Sequence, residues 1–350
     1  MKNKDVALKI LVELCRLLIG VVFIFSGFVK AVDPVGGAIK IGEYLASFGL
    51  DMLQPFTVLL SFNLSAIEFA LGVCMLLGVY RRYVSFLVLV FMVFMTPLTL
   101  YLALFDPVSD CGCFGDALVI TNWETFFKNI VLSLAAIVTF IYNQRLFQCF
   151  TYRVYWFVAL YAYLFGVGFA YYNYNHLPVI DFRPYKVGAN IPQLMEMPEG
   201  APQDEYKYTF VYEKDGVKKE FSLEDYPAND SSWTFVESKT ELVKKGYQPP
   251  VAAFNIYNGE GDDVTEEIIG NPGPVLLLVA PKLEDADDEQ MDEINGVYDY
   301  ALEHNIPFYC VTGSSPEAID AWSDNTGAEY PFRMADEVLL KTIIRSNPGL

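Results

Sequence analysis

Residues 83–104 read YVSFLVLVFMVFMTPLTLYLAL and contain no charged side chain. A helix needs about 20 apolar residues to cross the hydrocarbon core of a bilayer, so this stretch predicts a transmembrane helix. A second apolar stretch, Pro55–Tyr80, ends at the corner Tyr80-Arg81-Arg82-Tyr83, where the first one starts. The two stretches therefore predict an antiparallel pair of membrane helices joined by a short basic turn.

Three further apolar stretches bring the number of predicted spans to five. The five are Leu8–Val32, Pro55–Tyr80, Tyr83–Leu104, Trp123–Tyr142 and Tyr152–Tyr174. We expect the first to be a retained span rather than a cleaved signal peptide, because it is long and lacks a small-residue cleavage site. Basic residues flank the spans at Lys2, Lys4, Lys9, Arg81, Arg82, Arg145 and Arg153. With five spans these flanks share one side, which predicts a cytoplasmic N-terminus and an extracytoplasmic C-terminal half.

The two halves of the chain differ sharply in charge. Up to Asn175 the sequence has eleven basic and ten acidic side chains, whereas from His176 onward it has thirteen and thirty-three. The acidic half has no basic tract, which argues against nucleic-acid binding. The apolar half requires a lipid bilayer as its solvent.

Several ionisable residues lie inside the predicted spans, where they are costly unless they are paired or face a cavity. Arg16 lies in the first span with Glu13 one turn before it, Glu68 lies near the middle of the second, and Lys128 lies in the fourth. One interpretation is a proton or quinone site lined by Arg16 and Glu68. The other is an interhelical ion pair that fixes the register of the bundle.

Two cysteines, Cys111 and Cys113, lie in the predicted outer loop between the third and fourth spans, where disulfides can form. A ring closed by cysteines one residue apart is strained, and strain makes a disulfide easier to reduce. This favours a pair that exchanges electrons. A short loop should also keep the pair exposed at the membrane surface. The flanking Asp110 and Asp116 are expected to raise the pKa of the thiols.

Three other interpretations of this pair stay open: a permanent disulfide staple, half of a metal site, or two unreactive thiols. A metal needs further ligands, and the two histidines of the sequence, His176 and His304, do not have ligand spacing to the loop, so we predict no metal site. The remaining cysteines are expected to be core residues (Cys15 and Cys74), a free thiol of the inner loop (Cys149) and a buried strand residue (Cys310).

The string Cys-Gly-Cys-Phe-Gly at residues 111–115, between two spans, resembles the MauE group of the DoxX-like superfamily. Further matching features follow in the same order: Arg16, Ser26-Gly27-Phe28-Val29-Lys30, Asp33-Pro34, Tyr44, Glu68, Gly72, Gly78, Arg81-Arg82 and Asn129. The resemblance covers roughly residues 8–142. It implies a four-helix core, here with a fifth span, in a bacterial inner (cytoplasmic) membrane, associated with thiol–disulfide chemistry in the periplasm. The MauE group is linked to maturation of a disulfide-rich dehydrogenase in methylamine utilisation.

The acidic half is expected to be soluble and periplasmic. We predict a bundle at residues 1–150, the fifth transmembrane helix at 151–176, an extracytoplasmic connector at 177–250 and an α/β domain at 251–350. In the connector, Lys207–Tyr212 and Val217–Phe221 predict strands around a turn signal at 213–216, and Val236–Gly246 predicts a short helix.

The last segment alternates between strand and helix patterns, which predicts a parallel or mixed α/β sheet. The predicted elements are the strand Val275–Ala280, the helix Asp287–His304, the strand Ile306–Thr312 and the helix Pro316–Asn325. Their order, with Val279-Ala280-Pro281 and Asn347-Pro348-Gly349, resembles a thioredoxin-like domain of the redoxin group. The CxxC active site of that group would fall at Leu283–Ala286, where this sequence has no cysteine. The chain ends at Leu350, where such a sheet should continue, so we expect a truncated domain.

These observations support two hypotheses on function. The first is a thiol–disulfide oxidoreductase in which Cys111 and Cys113 are catalytic and pass electrons between an extracytoplasmic thiol protein and a membrane carrier. A quinone is a candidate carrier, with Arg16 and Glu68 as its binding residues. The alternative is a non-enzymatic, membrane-anchored scaffold or assembly factor whose thioredoxin-like domain binds a partner protein.

Overall fold

The structure is a computed structural model that describes every residue except 1, 106–110, 199, 203–204, 215–216, 223–232, 245, 248, 252–253, 348 and 350. The predictions that involve Asp110, the turn residues 215–216, Pro348 and Leu350 lie outside the described residues. The chain forms two compact units. The first contains residues 1–187, 279–281 and 340–350, and the second contains residues 188–278 and 282–339.

The first unit is built from helices. They are α1 (Lys2–Val32), α2 (Pro34–Ser47), α3 (Thr57–Leu77), α4 (Arg81–Phe105), α5 (Asn122–Ile141) and α6 (Tyr155–Asn175). In the described part of the chain, four segments are long and apolar enough to cross a membrane: Asp51–Leu77, Arg81–Phe105, Asn122–Ile141 and Tyr152–Asn175. These four are the second to fifth predicted spans. The predicted first span falls within α1, a helix of 31 residues that is not among the four.

Close packing between α1 and α3 depends on glycine. A Cβ atom on Gly27 would collide with the backbone of Phe69 and lie 2.6 Å from the carbonyl oxygen of Ser65. On the facing helix, a Cβ atom on Gly72 would lie 2.6 Å from the backbone nitrogen of Ile24. Small residues that let two backbones approach are the usual way in which membrane helices pack. The register between α1 and α3 is therefore fixed by contacts that a larger side chain would prevent.

Helix α2 was not predicted, because it is short and carries two glycines in its first turn. Asp33 caps it by accepting a hydrogen bond from the Gly36 backbone nitrogen at 3.0 Å, and Pro34 occupies the first helical position. The same carboxylate accepts a hydrogen bond from Arg345 Nε at 3.1 Å and lies 3.5 Å from Arg183 Nη1. The start of α2 is thus fixed by a partly buried cluster of charged side chains.

The second unit contains an antiparallel sheet in the order β2-β1-β3, made of β1 (Glu205–Lys214), β2 (Val217–Ser222) and β3 (Thr234–Lys244). The two strands predicted in the connector are confirmed as β1 and β2. The helix predicted at Val236–Gly246 is wrong, since this segment is β3 and pairs with β1 along its length. Its β-branched residues suit a strand. The segment becomes a strand because it pairs with β1, which is distant in sequence.

The C-terminal part of the chain alternates between helices and strands. Its elements, with one earlier helix, are α7 (Ile191–Met195), α8 (Thr265–Ile269), β4 (Leu276–Ala280), α9 (Met291–Glu303), β5 (Phe308–Thr312), α10 (Pro316–Thr326), β6 (Phe332–Met334) and α11 (Glu337–Ile344). The strands lie in the order β4-β5-β6, with β5 and β6 parallel. The two strands and two helices predicted here are confirmed. They establish a small α/β sheet but do not establish a thioredoxin-like fold.

We expect Gly27→Ala to destabilise the helical unit by about 1–3 kcal/mol, the usual cost of overpacking a core. The added methyl group forces α1 away from the α3 backbone. The matched control is Gly168→Ala in α6, because a Cβ atom there meets nothing within 4 Å. Thermal unfolding of the solubilised protein measures the effect. Equal unfolding temperatures for the two variants would contradict the close approach of α1 and α3.

Candidate functional site

The site is centred on the loop that carries the cysteine pair. The Sγ atoms of Cys111 and Cys113 are 2.8 Å apart, and both residues are free thiols. Gly112 between them has φ of 63°, a left-handed conformation that favours glycine. The exposed fractions of Cys111 and Cys113 are 7% and 8%. The pair is therefore positioned as a unit by the turn.

The expectation of an exposed pair is wrong. Cys111 and Cys113 pack in an apolar cluster with Leu102, Tyr44, Met95 and Tyr101 from α2 and α4. The hydroxyl of Tyr44 donates a hydrogen bond to the carbonyl oxygen of Cys111 at 2.6 Å. Helix α2 thus covers the cysteine pair, and this helix was not among the predicted elements.

A buried ion pair lies directly behind the loop. Lys30 Nζ in α1 is 2.6 Å from Glu68 Oε1 in α3, and their side chains are 12% and 3% exposed. The other carboxylate oxygen, Glu68 Oε2, is 2.7 Å from the hydroxyl oxygen of Ser26. The same hydroxyl oxygen is 2.7 Å from the carbonyl oxygen of Cys113. Ser26 therefore connects the buried carboxylate to the backbone of the cysteine loop.

These groups surround a cavity of about 30 Å³. Its polar side is formed by Ser26, Lys30, Glu68, Cys113, Lys128 and Asn129, and its apolar side by Val22, Phe23, Phe91, Met92, Met95, Phe114 and Leu132. Lys128 in α5 points over the ring of Phe114, with Nζ 4.1 Å from the ring centroid. A capping box between Thr121 and Glu124 fixes the start of α5 and so the position of Lys128.

The two thiols have different acidities. The hydrogen bond with Cys111 lowers the pKa of the Cys113 thiol, and the positive charges of Lys128 and Lys30 lower it further, against the effect of burial. The hydrogen bond with Cys113, together with burial, raises the pKa of Cys111. When the reduced pair loses one proton, the negative charge therefore resides on Cys113, near the two ammonium groups.

The flanking aspartates were expected to raise the pKa of both thiols, whereas the pKa of Cys113 is lowered. Asp110 lies outside the described residues, and Asp116 accepts a hydrogen bond from Arg345 Nη2 at 3.1 Å. The charges that lower the pKa of Cys113 come instead from lysines on α1 and α5. The charged residues adjacent in sequence therefore did not predict the direction in which the pKa of Cys113 is shifted.

Of the four predicted site residues, the structure brings together Cys111, Cys113 and Glu68. Arg16 lies elsewhere, because its Nε atom is 2.6 Å from Glu13 Oε2 and its Nη1 atom donates to the carbonyl oxygen of Leu76. It precedes Lys30 by fourteen positions, which is about 21 Å along a helix. Arg16 therefore does not line the cavity, and the cation that pairs with Glu68 is Lys30.

Sequence reasoning did not assign a role to Ser26, Lys30, Lys128 or Tyr44. One signal was present, since Ser26 and Lys30 are four positions apart and so lie on the same face of a helix. That spacing could have identified Lys30 as a residue of the same face. The contact of this face with Glu68 depends on the register of α1 against α3, which no local pattern contains.

The other cysteines are not among the residues that line this cavity. Burial raises the pKa of Cys310 in β5 to about 12, and Cys310 is completely buried, as predicted. Cys149 is exposed. In the part of the chain that the structure describes, no group of three or more His, Cys, Asp or Glu side chains could hold a metal ion.

The apolar helices define a membrane protein with a buried cysteine pair. Residues 8–142 match the family model of the methylamine utilisation protein MauE, so this segment of the chain is MauE-like. The match spans less than half of the chain and contains the cysteine loop, Lys30, Glu68 and Lys128. Residues 206–245 match a domain of unknown function (DUF8463), which covers most of the β1–β3 sheet. No curated protein and no solved structure is similar enough to count as a match.

We expect Lys30→Met to destabilise the helical unit by about 3–5 kcal/mol, because it leaves the buried carboxylate of Glu68 without its cation. The control is Lys9→Met in the same helix, since Lys9 is exposed. The double variant Lys30→Met/Glu68→Leu should recover much of the loss, because no buried charge remains unpaired. Thermal unfolding measures all three, and a Lys30→Met protein as stable as Lys9→Met would contradict the ion pair.

We expect Lys128→Gln to raise the pKa of Cys113, because it removes a positive charge that stabilises the thiolate. At a pH below that pKa, each unit of increase lowers the thiolate fraction about tenfold. The rate of modification by a small methanethiosulfonate, measured against pH in a reduced Cys149→Ser background, should therefore shift to higher pH. Lys9→Gln should leave the profile unchanged. An unchanged or lower midpoint for Lys128→Gln would contradict the assignment.

Proposed function

We propose that this membrane protein performs thiol–disulfide exchange outside the cytoplasm through Cys111 and Cys113. The observation that carries the proposal is the pair itself, with sulfurs 2.8 Å apart and next to a cavity that holds Lys30 and Lys128. The thiolate, rather than the thiol, is the reactive and leaving form of cysteine, and both lysines stabilise it. The MauE-like segment supports an accessory role of the kind that its name links to methylamine utilisation.

The proposal places the cysteine loop on the extracytoplasmic side of a bacterial inner membrane, with α1 as a fifth span. The 31 residues of α1 extend over about 46 Å, which exceeds the hydrocarbon thickness of a bilayer. One side of α1 is exposed and apolar, at Val6, Ile10, Leu14, Leu17 and Val21. Lipid contact along that side would account for these residues. Five spans would place the N-terminus in the cytoplasm and the acidic half in the periplasm.

The exchange reaction follows from the unequal acidities of the two thiols. In the oxidised protein, a thiolate of a partner dithiol attacks Cys111 Sγ, and Cys113 leaves as a thiolate next to Lys30 and Lys128. The second thiol of the partner then attacks the partner's sulfur in the mixed disulfide and releases Cys111. The partner loses two electrons and two protons. The two electrons reduce the pair, one proton ends on Cys111 and the other is released to water, while Cys113 remains a thiolate. A membrane quinone would restore the disulfide by taking two electrons and two protons to become a quinol.

Burial of the pair sets a condition on this reaction. Both sulfurs are covered, and Tyr44 of α2 is hydrogen-bonded to the backbone of Cys111. A partner thiolate can reach Cys111 only after this contact has opened. We therefore place the recognition of the partner at α2, next to the cysteine loop.

We expect Cys111 and Cys113 to interconvert between dithiol and disulfide when membranes are equilibrated with glutathione buffers of different potential. Acid quenching, denaturation and labelling with a heavy maleimide report the redox state by mass, whether or not the thiols are buried. Cys111→Ser should remove the transition because Cys113 then has no partner. Cys149→Ser should retain it, because that exposed thiol lies outside the site.

A pair that stays fully oxidised, or fully reduced, in every buffer would contradict the oxidoreductase proposal. That result would favour the second candidate function, which is a membrane-anchored scaffold that binds a partner through a thioredoxin-like domain. It is favoured by the segment Leu283–Ala286, which has no cysteine, and by the complete burial of Cys310. The C-terminal α/β segment therefore has no accessible thiol for chemistry of its own.

A further inference from the structure

Arg345 links helix α2, which covers the cysteine pair, to the loop that carries the pair. Its Nε atom donates a hydrogen bond to Asp33 Oδ1 at 3.1 Å, and its Nη2 atom contacts Asp33 Oδ2. The same Nη2 atom donates to Asp116 Oδ2 at 3.1 Å. Asp33 caps the start of α2, and Asp116 lies three positions after Cys113. One guanidinium group therefore joins the start of α2 to the end of the cysteine loop.

All partners in this contact belong to the helical unit. Residues 340–350 are part of that unit together with residues 1–187. Arg345 directly follows α11, and its side chain is 12% exposed, so the guanidinium group is largely removed from water. Two positions later, Asn347 Nδ2 donates a hydrogen bond to the carbonyl oxygen of Tyr185 at 2.9 Å. The C-terminal segment is thus fixed where its arginine meets α2.

The first turn of α2 is shaped to receive the guanidinium group. A Cβ atom on Gly36 would collide with Arg345 Nη2 and with Asp33 Oδ2. The glycine therefore leaves the space that the arginine occupies. A guanidinium group donates through a rigid planar fork, so it can bind both oxygens of one carboxylate and still reach a second carboxylate.

Helix α2 contacts the cysteine loop at two further points. Tyr44, near its end, donates a hydrogen bond to the carbonyl oxygen of Cys111. Lys40 lies over Gly112, since a Cβ atom on that glycine would be 3.2 Å from Lys40 Cγ. Arg345 adds a third point at the start of the helix, about 16 Å from Tyr44 along the helix axis. The loop is therefore attached to α2 along most of the length of the helix.

We propose that Arg345 is a positioning residue for the exchange reaction. By bridging Asp33 and Asp116 it holds α2 closed over Cys111 and Cys113, and release of this bridge sets how often a partner thiolate reaches Cys111. The inference rests on the proposed function and deepens it, because that function requires α2 to open. Arg345 acts on access to the two sulfurs and leaves the exchange steps themselves unchanged.

The exposure of the two carboxylates indicates which side of the bridge releases first. The side chain of Asp116 is 43% exposed, whereas that of Asp33 is 18% exposed. Water can therefore replace the contact with Asp116 at a lower cost than the contact with Asp33. Asp33 also lies 3.5 Å from Arg183 Nη1, so a second cation stays beside it. The loop can thus separate from α2 while the start of the helix remains capped.

The test is the rate at which Cys111 and Cys113 react with a small neutral methanethiosulfonate in the reduced full chain, in a Cys149→Ser background, resolved by peptide mass. Arg345→Gln should raise this rate about tenfold or more, as expected from the loss of hydrogen bonds between charged groups. Asp116→Asn should also raise it. Adding Asp116→Asn to Arg345→Gln should give no further increase, because both changes remove the same bridge. Independent, multiplicative increases would contradict a shared bridge.

Two controls separate local opening from general loosening of the fold. Arg145→Gln should leave the rate unchanged, because Arg145 is paired with Asp5, with Nη1 3.4 Å from Oδ1, and takes no part in the bridge. Cys74 is an internal control, since it is buried in the core of the same unit and reacts only when that core opens. If Arg345→Gln raises the rates of Cys74 and the pair together, Arg345 has only a structural role and the proposal is overturned. An unchanged rate at the pair would overturn it as well.

A second variant tests the same contact without removing a charge. Gly36→Ala should push the guanidinium group away from α2 and so raise the rate at the pair. Alanine has a higher helix propensity than glycine, so the substitution otherwise stabilises the helix. A role of this turn in helix stability alone therefore predicts a rate that falls or stays the same, and either result would overturn the proposal.

The positioning role and the exchange function fail in different experiments. Modification rates do not require the pair to cycle, and a redox titration at equilibrium does not depend on how fast α2 opens. If the pair titrates reversibly but Arg345→Gln leaves the modification rate unchanged, the exchange function stands and the role of Arg345 falls. If the pair has no reversible redox transition, the exchange function falls, and with it the reaction that Arg345 would serve.

Discussion

The geometry of the site depends on the buried ion pair between Lys30 and Glu68. Removing two charges from water is costly, and the cost is offset only when the partners are close and otherwise hydrogen-bonded. The 2.6 Å contact between α1 and α3 meets this condition, and Ser26 provides the additional hydrogen bond. Because Ser26 lies next to Gly27, the same glycine contact that brings the two backbones together also brings the carboxylate to the cysteine loop.

This arrangement explains why Cys111 and Cys113 pack against the helices. Its backbone is fixed at two carbonyl groups, by Tyr44 at Cys111 and by Ser26 at Cys113. The turn at Gly112 then holds the two sulfurs close together. The ends of the loop are set by α4 and by the capping box of α5. Helices from different parts of the chain therefore together fix the position of the two cysteines.

Most of the membrane helices can be predicted from composition, because a membrane span needs a long run of apolar residues and few other structural elements contain one. The ends of α4 and α5 fall within two residues of the predicted spans, and the cysteine pair is evident from its spacing. The cation that pairs with Glu68 could not be predicted in this way. Arg16 and Lys30 lie on one helix about 21 Å apart, and both are compatible with a pair until the register of α1 against α3 is known. Similarly, α2 and β3 depend on tertiary partners that their own residues do not identify.

The most consequential error was to expect an exposed pair, because it linked reactivity to access. In the structure, the acidity of Cys113 and access to the pair depend on different residues. In the proposed function, the reactivity of Cys113 comes from the positive charges of Lys30 and Lys128, which lower the pKa of its thiol. Access to the pair would depend on α2, whose first turn is fixed by Asp33 and whose Tyr44 donates a hydrogen bond to the Cys111 carbonyl oxygen. A dithiol built in this way would keep a lowered pKa at one sulfur and yet be covered by the surrounding side chains. Opening at α2 would then select the reaction partner, with no change in the chemistry of the thiols themselves.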